Sequence, residues 1–244
     1  MALSRIYTAQ DIAPGNELML EAAAGRHVAG ALRLQAGDEL VLFNGDGHEY
    51  TARIVNLDRR NVSVLPLTGE ARSVESALAI HLGIGISRGE RMDWVIQKST
   101  ELGVTELSPL FSERCEVKLK GERAEKKLQH WRQVAISACE QCGRNRIPDI
   151  HPPQTLRDWQ GSVRADLKLV LHHRALESTG TKTPSSLALL VGPEGGLSDT
   201  EIQAACSGDF KPLALGPRVL RTETAPLAAI AIAQARWGDM GITL

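Results

Sequence analysis

Leu190-Val-Gly-Pro-Glu-Gly-Gly-Leu-Ser198 carries an apolar run into three glycines and then into Ser198-Asp-Thr-Glu201, a capping box that opens a helix. The run behind it, Leu187 to Val191, has no polar alternation, which marks a strand buried on both faces, as in a parallel sheet. The same grammar recurs outward from this stretch. Leu78 to Ile86, Glu106 to Leu110, Leu167 to Leu171 and Pro212 to Leu215 read as strands. Between them, Arg88 to Leu102 places Met92, Val95, Ile96 and Leu102 on a helical period, and Gly103 ends it. Glu122 to Gly143 and Thr224 to Trp237 read as further helices. Strands alternating with helices predict an α/β domain built on a mostly parallel sheet.

The first 70 residues read differently. Glu39 to Phe43 is a strand, Asn44-Gly-Asp-Gly47 supplies turn residues, and Tyr50 to Leu57 and Asn61 to Leu67 alternate polar with apolar. His27 to Leu34 has a helical period, and Thr68 to Ser76 is polar enough to be a linker. The expectation is a small β-rich domain over 1–72 and an α/β domain over 77–244.

The chain has 244 residues, 28 Lys+Arg against 29 Asp+Glu, and 43% hydrophobic residues, the composition of an ordinary globular protein. A net charge of −1 argues against a protein that coats DNA, but a local basic patch can still hold nucleic acid. Such a patch exists over 113–146, with nine basic residues against five acidic, although a solvated helix face would look the same. No apolar run approaches the roughly 20 residues that span a bilayer. Met1 to Asp11 has no signal-like apolar core, and four cysteines make no disulfide framework, so a reduced cytoplasmic setting and no membrane are expected.

Two loops could carry chemistry. Gly192, Gly195 and Gly196 let backbone approach a ligand, and they lie where a parallel sheet binds ligands, beyond the carboxyl ends of its strands. The loop has neither a P-loop ending nor Gly-x-Gly-x-x-Gly spacing, and alone it reads equally well as a tight turn. Leu215-Gly-Pro-Arg-Val-Leu-Arg-Thr-Glu-Thr-Ala225 carries Arg218 and Arg221 among apolar residues, with Glu223 as a possible partner. Two arginines in such a loop are costly to bury unless they are paired or meet an anion. Cys139-Glu-Gln-Cys142 lacks a second pair for zinc and sits at a helix end, where a redox motif is not expected, so no metal is assigned. His172-His173 at a strand end is more simply hydrogen-bonded than ligating.

Taken together, Gly192-Pro-Glu-Gly-Gly196 and Leu215-Gly-x-Arg-x-Leu-Arg-x-Glu-Thr-Ala225 resemble the two C-terminal motifs of the SPOUT methyltransferases. Arg5-Ile-Tyr7, His27-Val-Ala-Gly-Ala-Leu-Arg33, Ser87-Arg-Gly-Glu90, Gln97-Lys-Ser-x-Glu-Leu-Gly103, Ser112-Glu-Arg-Cys115 and Glu140-Gln-Cys-Gly-Arg144 narrow the likeness. They resemble a bacterial subfamily that methylates N3 of a uridine near the 3′ end of 16S ribosomal RNA. The resemblance implies a trefoil-knotted sheet behind a PUA-like RNA-binding domain, with S-adenosyl-L-methionine as cofactor. By position the cofactor would meet Leu171, His172, Gly192, Glu194, Gly195, Gly196, Leu215, Gly216, Leu220 and Thr222. Arg221 would act on the uracil, with Glu223 orienting it. Arg5, Arg26, Arg33, Arg88, Arg144 and Arg218 would meet RNA, either naked or in the assembled small subunit. The resemblance also implies a homodimer. Ala225 to Ala235 carries no charge, and a helix apolar all round expects burial all round. The competing readings are a ribosome-assembly factor without catalysis and a methyltransferase of another RNA.

Overall fold

The computed structural model describes residues 3–58, 61–172 and 183–241. It divides into two compact units, Met1–Glu75 with Ile136–Ile147, and Ser76–Ala135 with Pro148–Leu244. His173 lies outside the described residues.

In the first unit, β1 (Arg5–Tyr7), β2 (Leu18–Met19), α1 (Ala22–Arg26), β3 (Glu39–Phe43), β4 (His48–Leu57) and β5 (Val62–Ala71) follow in order. Its sheet runs β1-β3-β4-β5-β2, with β1 parallel to β3 and the other pairs antiparallel. Alternate residues, among them Ile6, Leu40, Leu42, Ala52, Ile54, Val62 and Val64, fill one core. Gly45 and Gly47 take φ of +98° and +91° in the β3–β4 turn, as the sequence demands. The helical period read over His27 to Leu34 is realised only as a π-helical turn over His27–Ala31, which continues α1, and Arg33 beyond it takes φ +54°.

The expected linker is a correction. Thr68 to Ala71 stays in β5, paired with β4 from His48 to Thr51. These residues are polar because their side chains are exposed, not because the chain has left the sheet. Gly69 is there to admit the Tyr50 ring, since a Cβ would lie 2.8 Å from Tyr50 Cε1.

The second unit holds β6 (Ala79–Gly85), α2 (Arg91–Glu101), β7 (Glu106–Phe111), α3 (Glu122–Cys142), β8 (Asp149–Ile150), β9 (Gln154–Thr155), α4 (Leu156–Ser162), β10 (Leu167–Leu171), β11 (Ser186–Val191), α5 (Asp199–Ser207), β12 (Lys211–Leu213) and α6 (Ala225–Trp237). The last two turns of α3 belong to the first unit. The sheet order is β12-β10-β11-β6-β7-β8, parallel throughout, with β9 also on β7. Leu110, Leu156, Trp159, Val170, Ala188, Leu190 and Phe210 form a core beneath it. Gly83 makes room for Trp159, whose Cη2 would lie 2.5 Å from a Cβ there.

The all-round burial expected of α6 is not met within the chain. Pro226, Ala229, Ile230, Ala233 and Gln234 are buried, but Ile232 is 55% exposed, because α2 and β11 cover only one side.

At the other end of β6 and β7 lies a polar network. His81 Nε2 accepts from Trp159 Nε1 at 3.1 Å and lies 2.9 Å from Ser108 Oγ. Indole N–H can only donate, so the His81 proton sits on Nδ1, facing Glu106 Oε2 at 3.5 Å. His151 Nε2 meets the same carboxylate at 2.9 Å. The three side chains converge as metal ligands would, but His81 offers that centre an N–H and not a lone pair. Burial pushes His81 down to about 4, with Glu106 opposing and His151 assisting. A histidine kept neutral in the folded state stabilises fully above the unfolded value near 6.5, and the contribution is lost as pH falls toward 4. The expected loss is about 3 kcal/mol across that window. Urea midpoints between pH 7.5 and 4 should therefore fall more steeply for the native chain than for His81→Gln. Equal slopes would refute the assignment.

Candidate active site

A cavity of about 1050 Å³ opens where β10, β11 and β12 end, lined from Leu171, Val191 and Leu213 onward. This is the carboxyl edge at which parallel sheets bind ligands. The loop 192–197 is shaped by close backbone approach. At Gly192 a Cβ would stand 2.8 Å from both Gly196 C and Leu197 N. Gly196 takes φ +69°, which L side chains resist. Gly195 sits against Arg114, with 3.0 Å between a built Cβ and Arg114 Cβ, and Arg114 Nη1 donates to Gly195 O at 3.0 Å. Beneath the loop, a Cβ at Gly85 would lie 2.5 Å from Pro193 N. The capping box closes reciprocally, Glu201 N donating to Ser198 Oγ at 3.1 Å and Ser198 N to Glu201 Oε2 at 2.9 Å. The other oxygen, Oε1, accepts the Glu113 amide at 2.8 Å, so one buried carboxylate anchors α5 and the segment after β7.

The second loop lies on the first. Thr222 Oγ1 donates to Gly192 O at 2.8 Å. Leu171, His172, Gly192, Glu194, Gly195, Gly196, Leu215, Leu220 and Thr222 all line the cavity. Gly216 does not; it turns the chain at φ +82° with open space around it. Glu194 turns its carboxylate to the protein, accepting from Arg88 N at 2.9 Å and Arg91 Nη1 at 3.0 Å. Burial would raise its pKa, but these partners outweigh it and hold the carboxyl below the usual range.

Arg218 and Arg221 line the cavity and are exposed, and their guanidinium groups have no ion pair or hydrogen bond among the described residues. Contrary to the expectation from sequence, Glu223 is not turned to Arg221; its Oε2 lies 3.8 Å from Arg91 Nε. Arg88 pairs with Glu116. Arg91 and Arg114 were not legible as site residues, because a cation at a helix start or in a loop has no pattern of its own.

Two other assignments are corrected. Arg5 pairs with Glu49, donates to Asn145 Oδ1 at 2.6 Å and lies over the Phe43 ring at 4.9 Å. Arg144 is 4% exposed, and its guanidinium grips both Glu75 oxygens. Neither cation is presented to a phosphate, since desolvated and paired charges hold the unit together instead. Arg26 and Arg33 are exposed. Cys139 is buried, and its hydrogen bond with Cys142 and its burial push the thiol far above the ordinary range, against the pull of Arg144. A thiol held protonated is neither a nucleophile nor a ready metal ligand.

Residues 74–234 match a family described as an RNA methyltransferase domain, and 20–67 one described as an RNA methyltransferase PUA domain. The chain is 35% identical over 241 residues to the ribosomal RNA small subunit methyltransferase E of Buchnera aphidicola subsp. Schizaphis graminum, covering 98% of both. It is 33% identical over 215 residues to that of Bacillus subtilis, covering 84% of both. Among solved structures, a putative methyltransferase from Legionella pneumophila in complex with the cofactor SAM superposes at a TM-score of 0.94, with 44% identity over 98% of this chain and 100% of that one. A ribosomal RNA small subunit methyltransferase E from Neisseria gonorrhoeae bound to S-adenosyl methionine superposes at 0.92, with 39% identity over the same shares.

Proposed function

The chain belongs to the ribosomal RNA small subunit methyltransferase E family, and on that footing we propose that it methylates N3 of one uridine in 16S ribosomal RNA. It is an S-adenosylmethionine-dependent ribosomal RNA methyltransferase. The cavity suits that cofactor. Apolar side chains of Leu171, Leu213, Leu215 and Leu220 face a glycine loop whose backbone tolerates no added Cβ at Gly192. When bound, the cofactor supplies an electrophilic methyl group on a cationic sulfur.

The residues of the chain act on the other reactant. Uridine N3 carries a proton at neutral pH, so the base must become anionic to attack. A cation nearby favours the anion. The observation that carries this reading is Arg221, an arginine without a counter-ion on the loop that Thr222 ties to Gly192. Its planar fork would donate to a uracil oxygen as charge develops there. The carboxylates of Glu194 and Glu223 are turned to Arg91, so the proton is assigned to water. Arg218 and Arg88 at the cavity, and Arg26 and Arg33 on the N-terminal unit, are proposed phosphate contacts.

The division of labour proposed is RNA binding over 1–72 and methyl transfer over 77–244, in the cytoplasm. A trefoil knot at this edge is proposed on the family resemblance of the 192–196 and 215–225 motifs. The exposed apolar side of α6 at Ile232, with Trp94 of α2 52% exposed, supports a homodimer. Sedimentation equilibrium at micromolar concentration should give twice the 26.4 kDa chain mass, and a mass of one chain would reject the dimer.

The reaction is tested by mass spectrometry of 16S RNA from cells lacking the gene, before and after treatment with purified protein and cofactor. One methyl group on N3 of a single uridine is expected, with naked RNA and isolated small subunits compared side by side. Methylation elsewhere, or none on either substrate, would overturn the proposal.

A further inference from the structure

The cavity's cations are not equivalent. Arg88, Arg91 and Arg114 are each engaged by the protein, whereas Arg218 and Arg221 are not paired among the described residues. Glu223 stands two positions from Arg221 on the same exposed loop and lines the same cavity, which makes it the carboxylate nearest in sequence to that guanidinium. An ion pair between them would neutralise the charge on which the proposed chemistry depends. No such pair is present; Glu223 Oε2 lies instead 3.8 Å from Arg91 Nε. Arg91 can do this from a fixed position. It is the first residue of α2, and its Nη1 is tied at 3.0 Å to Glu194, which the Arg88 amide also grips at 2.9 Å. One guanidinium thus spans two carboxylates from different loops, a task suited to its planar fork and not to a lysine.

We infer that Arg91 is a positioning residue that draws Glu223 away from Arg221 and so keeps the Arg221 guanidinium available to the uracil. The inference rests on the reading of Arg221 given above. It differs from a purely architectural role for Arg91 in one consequence: the damage done by removing Arg91 must run through the Glu223 carboxylate.

A double-mutant cycle decides it. Arg91→Ala, Glu223→Gln and the pair are compared by single-turnover methylation of 16S transcript at saturating cofactor. Each is also compared by equilibrium binding of the same transcript without cofactor. Arg91→Ala should slow methylation by about tenfold or more and weaken transcript binding, and the double variant should recover to within about threefold of Glu223→Gln in both readouts. A double variant as slow as Arg91→Ala would overturn the inference, leaving Arg91 to shape the 192–197 loop alone. So would an Arg91→Ala variant as fast as the native chain. Arg221→Ala, run beside them, separates the two levels. If it is fully active the reading of Arg221 has failed; if it is inactive and the double variant stays slow, only the role of Arg91 has failed.

Discussion

Arg221→Ala is expected to reduce the methylation rate by about 10²–10³-fold, the 2–4 kcal/mol that one charge-stabilising donor contributes in a transition state. Cofactor affinity, read by calorimetry, should change by less than about threefold, since the proposed partner of Arg221 is the uracil. The expectation follows from exposure and solitude together. Arg221 lines the cavity and has no counter-ion among the described residues, so its full charge is available to a developing anion. Arg221→Lys should recover only part of the rate, because an ammonium keeps the charge and loses the fork. Arg218→Ala, three residues away and also exposed, should weaken RNA binding more than it slows the bound complex. A native rate in Arg221→Ala, or a cofactor affinity that falls as far as the rate, would show that this guanidinium does not act on the uracil.

The parts of the fold that sequence made legible are those long enough to show a period. β6, β7, β10 and β11 are apolar runs, α2, α3 and α6 are long periodic segments, and the Ser198–Glu201 cap closes as its spacing predicts. β1, β2, β8 and β9 escaped because two or three residues make no apolar run, and α4 because seven residues make only about two helical turns. Thr68 to Ala71 misled because exposed strand and linker share a composition. The cofactor loops were legible through glycine spacing and resemblance, yet the glycines beneath them were not. Gly83 and Gly85 look like weak strand residues until Trp159 and Pro193 are seen against them. Charge was the least legible property. Sequence reports that Arg5, Arg91, Arg144 and Arg221 are cations, but not that three of them are paired, with Glu49, Glu194 and Glu75 respectively, and the fourth is not. Pairing depends on carboxylates 44 to 103 residues away, which no local pattern encodes.

Gly192→Ala should cost the protein its cofactor while leaving its fold. The added methyl would stand 2.8 Å from Gly196 C and 2.8 Å from Leu197 N, and both are backbone atoms that no side-chain rotation can move aside. The loop must therefore open at the point where it is meant to close on the ligand. The same shift displaces Gly192 O, the acceptor of the Thr222 hydroxyl at 2.8 Å, so the second loop loses its anchor as well. Two walls of one cavity move together, and affinity for S-adenosylmethionine is expected to fall by about 100-fold, or 2.7 kcal/mol. The core under the sheet, built on Trp159, Leu190 and Phe210, lies outside the loop, so the far-ultraviolet spectrum and a cooperative melt should survive. Gly195→Ala provides the graded comparison. There the nearest atom is Arg114 Cβ at 3.0 Å, with Arg114 O at 3.4 Å, a contact that a few tenths of an ångström in one exposed residue can relieve. Its loss should be no more than about tenfold. Calorimetric titration of both variants with cofactor reads the order directly. Equal losses, or the larger loss at Gly195, would mean that ligand contact and not backbone closure sets the requirement for glycine in this loop.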